Sequence, residues 1–137
     1  MRPYKHNYYL TIAEAVMARS TCLRRKYGAV IVKNDEIIST GYNGSPRGET
    51  NCCDTGKCWR LEHSIPHGER YELCVAVHAE VNAIISASRK DMLGATLYLA
   101  SNFPNAEPCD NCMCVIKNAG ISKVITREKI KEINYEQ

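Results

Sequence analysis

Apolar residues near the start of the chain recur at helical spacing. Tyr9, Ile12, Ala13, Val16 and Met17 fall on one face, which predicts an amphipathic helix followed by Thr21 and Cys22. The pattern then changes period. Gly28-Ala29-Val30-Ile31-Val32 reads as a buried strand, and Asn34-Asp35 as a tight turn into a second strand over Glu36–Tyr42. From Asn43 to about Leu73 periodicity disappears, with Gly44, Pro46, Gly48, Gly56, Pro66 and Gly68 in the stretch and only a trace of helix near Trp59–His63. So long an irregular run is unusual inside a compact domain and requires a brace. Helical spacing returns at His78, where Val81, Ile84, Ile85 and Ser88 fit a helix beginning near Val77. Thr96–Ala100 predicts a third strand. Cys109 opens a further helix, with Cys112, Val115, Ile116 and Ala119 along one side and Gly120 placed to end it. Val124-Ile125-Thr126 predicts a short strand, and Glu128–Tyr135 a last short helix. Helices alternating with strands predict an α/β layer fold, with helices covering the sheet.

Length and charge narrow the picture. The chain has 137 residues, enough for one domain (1–137) with a real core. Its formal net charge of +3 is too mild for a nucleic-acid coat and compatible with a small anionic ligand. No apolar run approaches the roughly 18 residues that span a bilayer. Met1–Leu10 has no apolar signal-peptide core, which predicts a cytoplasmic protein. There are eight cysteines. In a reducing compartment clustered thiols are metal ligands more often than disulfides, and a secreted disulfide scaffold is the weaker alternative.

Candidate chemistry concentrates in His78-Ala79-Glu80 and Pro108-Cys109-Asp110-Asn111-Cys112. One imidazole and two thiolates can hold a zinc ion and leave its fourth position open to water, the pattern of a catalytic rather than a structural site. Cys109 and Cys112 are spaced i and i+3 at a helix start, where thiolates are favoured. Glu80, two residues beyond the histidine, suits a proton shuttle. This arrangement is the signature of zinc-dependent nucleobase deaminases. A non-catalytic zinc knuckle would gain nothing from Glu80 beside the metal. Cys114 lies off the Cys112 face and reads as packing. A nucleotide phosphate would need donors, and Ser45, Arg47 and Arg24 are the candidates near the Asn43 loop. The competing reading of Arg24-Arg25-Lys26 is a solvated helix end for at least two of the three.

The chain resembles deoxycytidylate deaminases of the zinc cytidine/deoxycytidylate deaminase superfamily from about Tyr8 to Arg127. The likeness rests on Arg19-Ser20-Thr21-Cys22, Gly28–Val32, Gly41-Tyr42-Asn43-Gly44-Ser45-Pro46-Arg47-Gly48, His78–Ile84, Pro108–Cys112 and Asn118–Ile121. The zinc motif belongs to the whole superfamily, whereas Gly-Tyr-Asn-Gly-x-Pro is particular to the deoxycytidylate enzymes. The resemblance implies a three-layer fold with a central mixed sheet of about five strands flanked by helices. It implies hydrolysis of dCMP to dUMP, supplying thymidylate synthesis. It also implies that Asn43 bonds the sugar hydroxyl, that the Ala79 backbone helps hold the pyrimidine, and that Glu80 moves the protons. Homo-oligomers, hexamers in many members, regulated by dCTP and dTTP are implied too, with magnesium accompanying the effector nucleotide. A second, structural zinc is implied on Cys22, Cys52, Cys58 and Cys74, with Cys53, His63 or His67 as alternative ligands; four thiolates would brace the irregular stretch. The alternative activities are a deaminase of bases within nucleic acid, similar to tRNA adenosine deaminases, or a non-catalytic zinc module. The segment Asn102–Glu107 is longer than in the compact members.

Overall fold

A computed structural model describes residues 1–64 and 76–133. Helix α1 (Lys5–Met17) leads into strands β1 (Tyr27–Lys33) and β2 (Glu36–Tyr42). Two short helices, α2 (Cys52–Thr55) and α3 (Trp59–Glu62), punctuate the irregular stretch. Then come α4 (Ala79–Ile85), α5 (Arg89–Met92), β3 (Thr96–Ser101), α6 (Asp110–Ala119), β4 (Lys123–Ile125) and β5 (Ile130–Glu132). The five strands form one sheet in the order β2-β1-β3-β4-β5. Pairing is antiparallel except between β3 and β4, so the sheet is mixed.

The period of two along β1 and β3 sorts side chains onto the two faces. Ala29, Ile31, Leu97 and Leu99 join Ala79, Ala83, Ile116 and Ala119 beneath α4 and α6. Val30, Val32, Tyr98 and Ala100 join Tyr9, Leu10 and Ala13 of α1. Helices thus cover both faces, the three-layer α/β arrangement expected from the sequence. Both faces of β1 are apolar because both are covered. Asn34 and Asp35 carry positive φ angles of 52° and 62°, as the tight β1–β2 turn requires.

Two elements differ from expectation. The segment expected to form a last helix instead contributes β5, whose Ile130, Lys131 and Glu132 pair with Ile125, Val124 and Lys123. The unpaired edge of β4 supplies backbone partners that local propensity does not register; residues 134 and 135 of that expectation lie outside the described residues. The second difference concerns α4. Its buried residues are Ala79, Glu80 and Ala83, while Ile85 is 71% exposed. The helix lies backbone-to-backbone on β2, since a Cβ on Gly41 would meet Ala83 N at 2.3 Å and Ala79 O at 2.5 Å. Only small residues fit so close an approach. Ser39 Oγ donates to Ala83 O at 2.7 Å, and Asn82 Nδ2 donates to Tyr42 O at 2.8 Å, fixing the helix along the strand. In α6, Cys112, Ile116 and Ala119 are buried as expected, but Val115 is 37% exposed. Gly120 ends this helix at φ 90°, a conformation that glycine adopts without a Cβ clash.

Candidate active site

Two helix starts build the centre of the site. His78 stands at the N-cap of α4 and Cys109 at the N-cap of α6. The Cys109 sulfur accepts the backbone N–H of Cys112 at 3.4 Å, doing with a thiol what Ser or Asp commonly does at this position. Both sulfurs converge on one ring nitrogen: His78 Nδ1 lies 3.2 Å from Cys112 Sγ and 3.5 Å from Cys109 Sγ. The three donor atoms lie within 4.8 Å of one another, and no other such group of three or more occurs among the described residues. A borderline-soft set of one imidazole and two thiols, spaced this closely, fits zinc with one coordination position left over.

The charges of this cluster are interdependent. Cys112 donates to the Cys109 sulfur, and together with hydrogen bonds from His78 and the Cys112 amide this holds Cys109 down at about 4. The Cys112 thiol is pushed far up, first by its bond to the Cys109 thiolate and then by burial. His78 is raised, chiefly by its hydrogen bond to Cys109. The pair of thiols therefore shares one proton, and a thiolate is present near neutral pH. Glu80, in the first turn of α4, is only 4% exposed. Burial raises its pKa, opposed by its own backbone N–H and the nearby His78. A carboxyl group held dry beside three metal donors is arranged to exchange protons rather than to meet solvent.

A second segment is tied to this centre. Gly44 N donates to Val77 O at 3.1 Å and Val77 N to Gly44 O at 2.7 Å, joining the Asn43 loop to the residue before His78. A Cβ on Gly44 would stand 2.6 Å from Thr21 Oγ1, so the Thr21 segment closes on the same loop. Asn43 is buried, and its side chain spans the junction. Its Oδ1 accepts from Ser20 Oγ at 2.6 Å and Tyr27 N at 2.9 Å, and its Nδ2 donates to Arg25 O at 2.8 Å. One Nδ2 hydrogen remains for a ligand.

Of the other expected residues, Ala79 is fully buried at the start of α4 and Ser45 is half-buried with its Oγ unpartnered. Arg24 is half-buried, whereas Arg47 is exposed in a turn. Cys22, Cys52 and Cys58 do not gather as a donor group of the His78–Cys109–Cys112 kind, and Cys74 and His67 lie outside the described residues. The α2 turn is nonetheless docked next to Cys22, because Cys53 N donates to Thr21 O at 3.0 Å. Cys53 and His63 are exposed.

Sequence reasoning missed Arg25 and Phe103. The guanidinium carbon of Arg25 lies 3.9 Å from the Phe103 ring centroid. Lys26 N donates to Asn102 Oδ1 at 2.8 Å and Asn102 N returns a bond to Lys26 O at 3.3 Å, which docks the loop before Pro108 onto this segment. Three consecutive basic residues carry no periodic cue that says which one turns inward; the extra length of the Asn102–Glu107 loop was the available signal.

The family model for the cytidine and deoxycytidylate deaminase zinc-binding region matches residues 3–128. The chain belongs to this family. Among curated relatives, the deoxycytidylate deaminase of Mycobacterium phage D29 is 41% identical over 90% of this chain and 94% of its own length. That of Enterobacteria phage T4 is 37% identical, over 88% and 76%. The Saccharomyces cerevisiae enzyme is 39% identical over 91% of this chain, which spans only 38% of it. Among solved structures, dCMP deaminase from cyanophage S-TIM5 in complex with dCMP and dUMP superposes with a TM-score of 0.65. It is 31% identical, with 92% of this chain and 82% of that chain covered. As a member of the family, the chain is a zinc-dependent hydrolytic deaminase with the cytidine deaminase fold.

Proposed function

We propose that the protein hydrolyses dCMP to dUMP and ammonia, supplying dUMP for thymidylate synthesis. The convergence of His78, Cys109 and Cys112 beside a buried Glu80 carries the reading, and the likeness to proteins named deoxycytidylate deaminase supports the choice of substrate. His78, Cys109 and Cys112 would hold zinc, which supplies Lewis acidity that makes water a strong nucleophile near neutral pH. Glu80 takes a proton from the attacking water and passes it to a pyrimidine ring nitrogen. It then delivers a proton to the amine that leaves as ammonia. Its raised pKa suits both transfers, because a general acid–base works best when its pKa approaches the working pH. Asn43 offers its remaining amide hydrogen to the sugar, and the Ala79 backbone lies against the base.

The same proposal includes a second zinc on Cys22, Cys52, Cys58 and Cys74, supported by the docking of α2 beside Cys22. Among the described residues no helix is long and apolar enough to cross a membrane. A cytoplasmic setting is part of the same proposal. Hexamer assembly, control by dCTP and dTTP and magnesium with the effector rest on family resemblance alone.

Purified protein offered dCMP, CMP, dCTP, deoxycytidine and a tRNA should release uracil product fastest from dCMP. Preference for the tRNA, or no ammonia from any substrate, would sink the proposal.

A further inference from the structure

The polarity of the Asn43 carboxamide is decided by its surroundings. The backbone N–H of Tyr27 can only donate and the Arg25 carbonyl can only accept, so Oδ1 faces the first at 2.9 Å and Nδ2 the second at 2.8 Å. A flipped amide would set donor against donor and acceptor against acceptor. One side chain completes the arrangement. Ser20 is 7% exposed, and its Oγ lies 2.6 Å from Asn43 Oδ1 and 3.0 Å from Asn43 O. The hydroxyl accepts from Cys22 N at 3.3 Å, which leaves its single hydrogen for Asn43. Because it reaches both the amide oxygen and the main-chain oxygen of Asn43, Ser20 ties that side chain to its own backbone. Asn43 is itself 6% exposed, so bulk water does not make good a lost bond there.

The contact left over is of one kind. Both lone pairs of Oδ1 are taken, by Ser20 and Tyr27, and Arg25 takes one Nδ2 hydrogen. The remaining N–H can be met only by an acceptor. The loop carrying Asn43 is bonded twice to Val77, next to His78, which holds this donor in register with the metal-donor cluster. A 2′-deoxynucleoside 5′-monophosphate has a single free sugar hydroxyl, on the 3′ carbon.

We infer that Ser20 is a positioning residue for sugar recognition: it aims the spare Asn43 N–H at the 3′ oxygen and sets how strongly the enzyme requires that oxygen. This rests on the proposed deoxynucleotide substrate and its Asn43 contact. A hydrogen bond received by the amide oxygen also polarises the N–H at the other end of the amide, so Ser20 strengthens the donor as well as orienting it.

The test compares dCMP with 2′,3′-dideoxy-CMP, which lacks the 3′ hydroxyl, in wild type, Ser20→Ala and Ser20→Thr. The readout is the ratio of kcat/KM for dCMP to that for the dideoxy analogue. In Ser20→Ala this ratio should fall about three- to tenfold, the worth of one hydrogen bond, because only dCMP uses the aimed N–H. Ser20→Thr keeps the hydroxyl and should keep the wild-type ratio. A Ser20 that merely supports the fold would depress both substrates alike. An unchanged ratio in folded Ser20→Ala, or an equal fall in Ser20→Thr, therefore overturns the inference. If Ser20→Ala fails to fold, Ser20→Cys, similar in size and a weaker donor, decides by the same ratio. Wild type that turns over dCMP but favours it no more than the dideoxy analogue overturns the Asn43 contact and the inference with it. Wild type that releases no ammonia from dCMP would instead overturn the proposed function.

Discussion

His78 Nδ1 lies 3.2 Å from the sulfur of Cys112, although 34 positions separate the two residues along the chain. Each reaches the meeting point from the first turn or cap of a different helix, and both helices pack on the same face of the sheet. The sheet therefore sets the spacing of the donors, and the helix starts set their chemistry.

Glu80→Gln keeps the shape of the side chain and removes its proton exchange. Turnover of dCMP should fall by about a hundredfold or more, the range in which a positioned acid–base contributes, while zinc content stays at the wild-type value. Steady-state kinetics alongside metal analysis checks both. Near-normal turnover would remove Glu80 from the mechanism.

Replacing Cys109 with Ser should do more than weaken a ligand. The same sulfur caps α6 through Cys112 N, and a hydroxyl can take over the cap but not the thiolate. The variant should therefore fold, with its melting temperature close to that of metal-free wild type, and should lose one zinc per chain together with activity. His78→Ala should lose the same zinc. Retention of that zinc by either variant would show that the cluster is not the metal centre.

The second zinc makes a stoichiometric claim. Fully active protein should carry two zinc ions per chain, and Cys22→Ser should carry one. Because that site would brace structure rather than chemistry, Cys22→Ser should melt earlier while keeping substantial kcat at low temperature. One zinc per fully active wild-type chain would eliminate the site.

Tyr9 supplies a pH dependence far from the metal centre. Burial raises its pKa from 10.0 to about 12, and its hydrogen bond to the Asp35 carboxylate adds to the shift. The folded state thus holds this proton more tightly than the unfolded chain. The associated stability is intact below about pH 10 and is lost as pH rises through about 12. Urea unfolding between those values should show a shallower loss with pH in Tyr9→Phe than in wild type. Identical slopes would mean that Tyr9 does not titrate as the structure requires.

Much of the molecule was legible along the chain. The β1–β2 hairpin, β3 and α6 follow from period, turn residues and the Gly120 stop, all of which are local properties. The donor set was legible because His78, Glu80, Cys109 and Cys112 are rare residue types in a rare spacing. The face of α4 was not. Its large aliphatic residues predicted burial of Val81, Ile84 and Ile85, yet the helix buries Ala79, Glu80 and Ala83, because closeness to the β2 backbone at Gly41 selects for small side chains. The last segment was misjudged for a similar reason: Ile130–Glu132 becomes a strand only because β4 leaves an open edge beside it.

The sequence by itself determined the fold class and singled out His78, Cys109 and Cys112 as a candidate donor set with the Glu80 carboxylate as its candidate proton carrier, since periodicity and ligand chemistry are written in residue types at short range. Tertiary structure alone decided which basic residue turns inward, that Asn43 knits the strand ends together while keeping one hydrogen to spare, and that Glu80 is dry enough to hold a raised pKa. Those properties depend on which distant groups exclude water or supply a partner, and residue order does not record that.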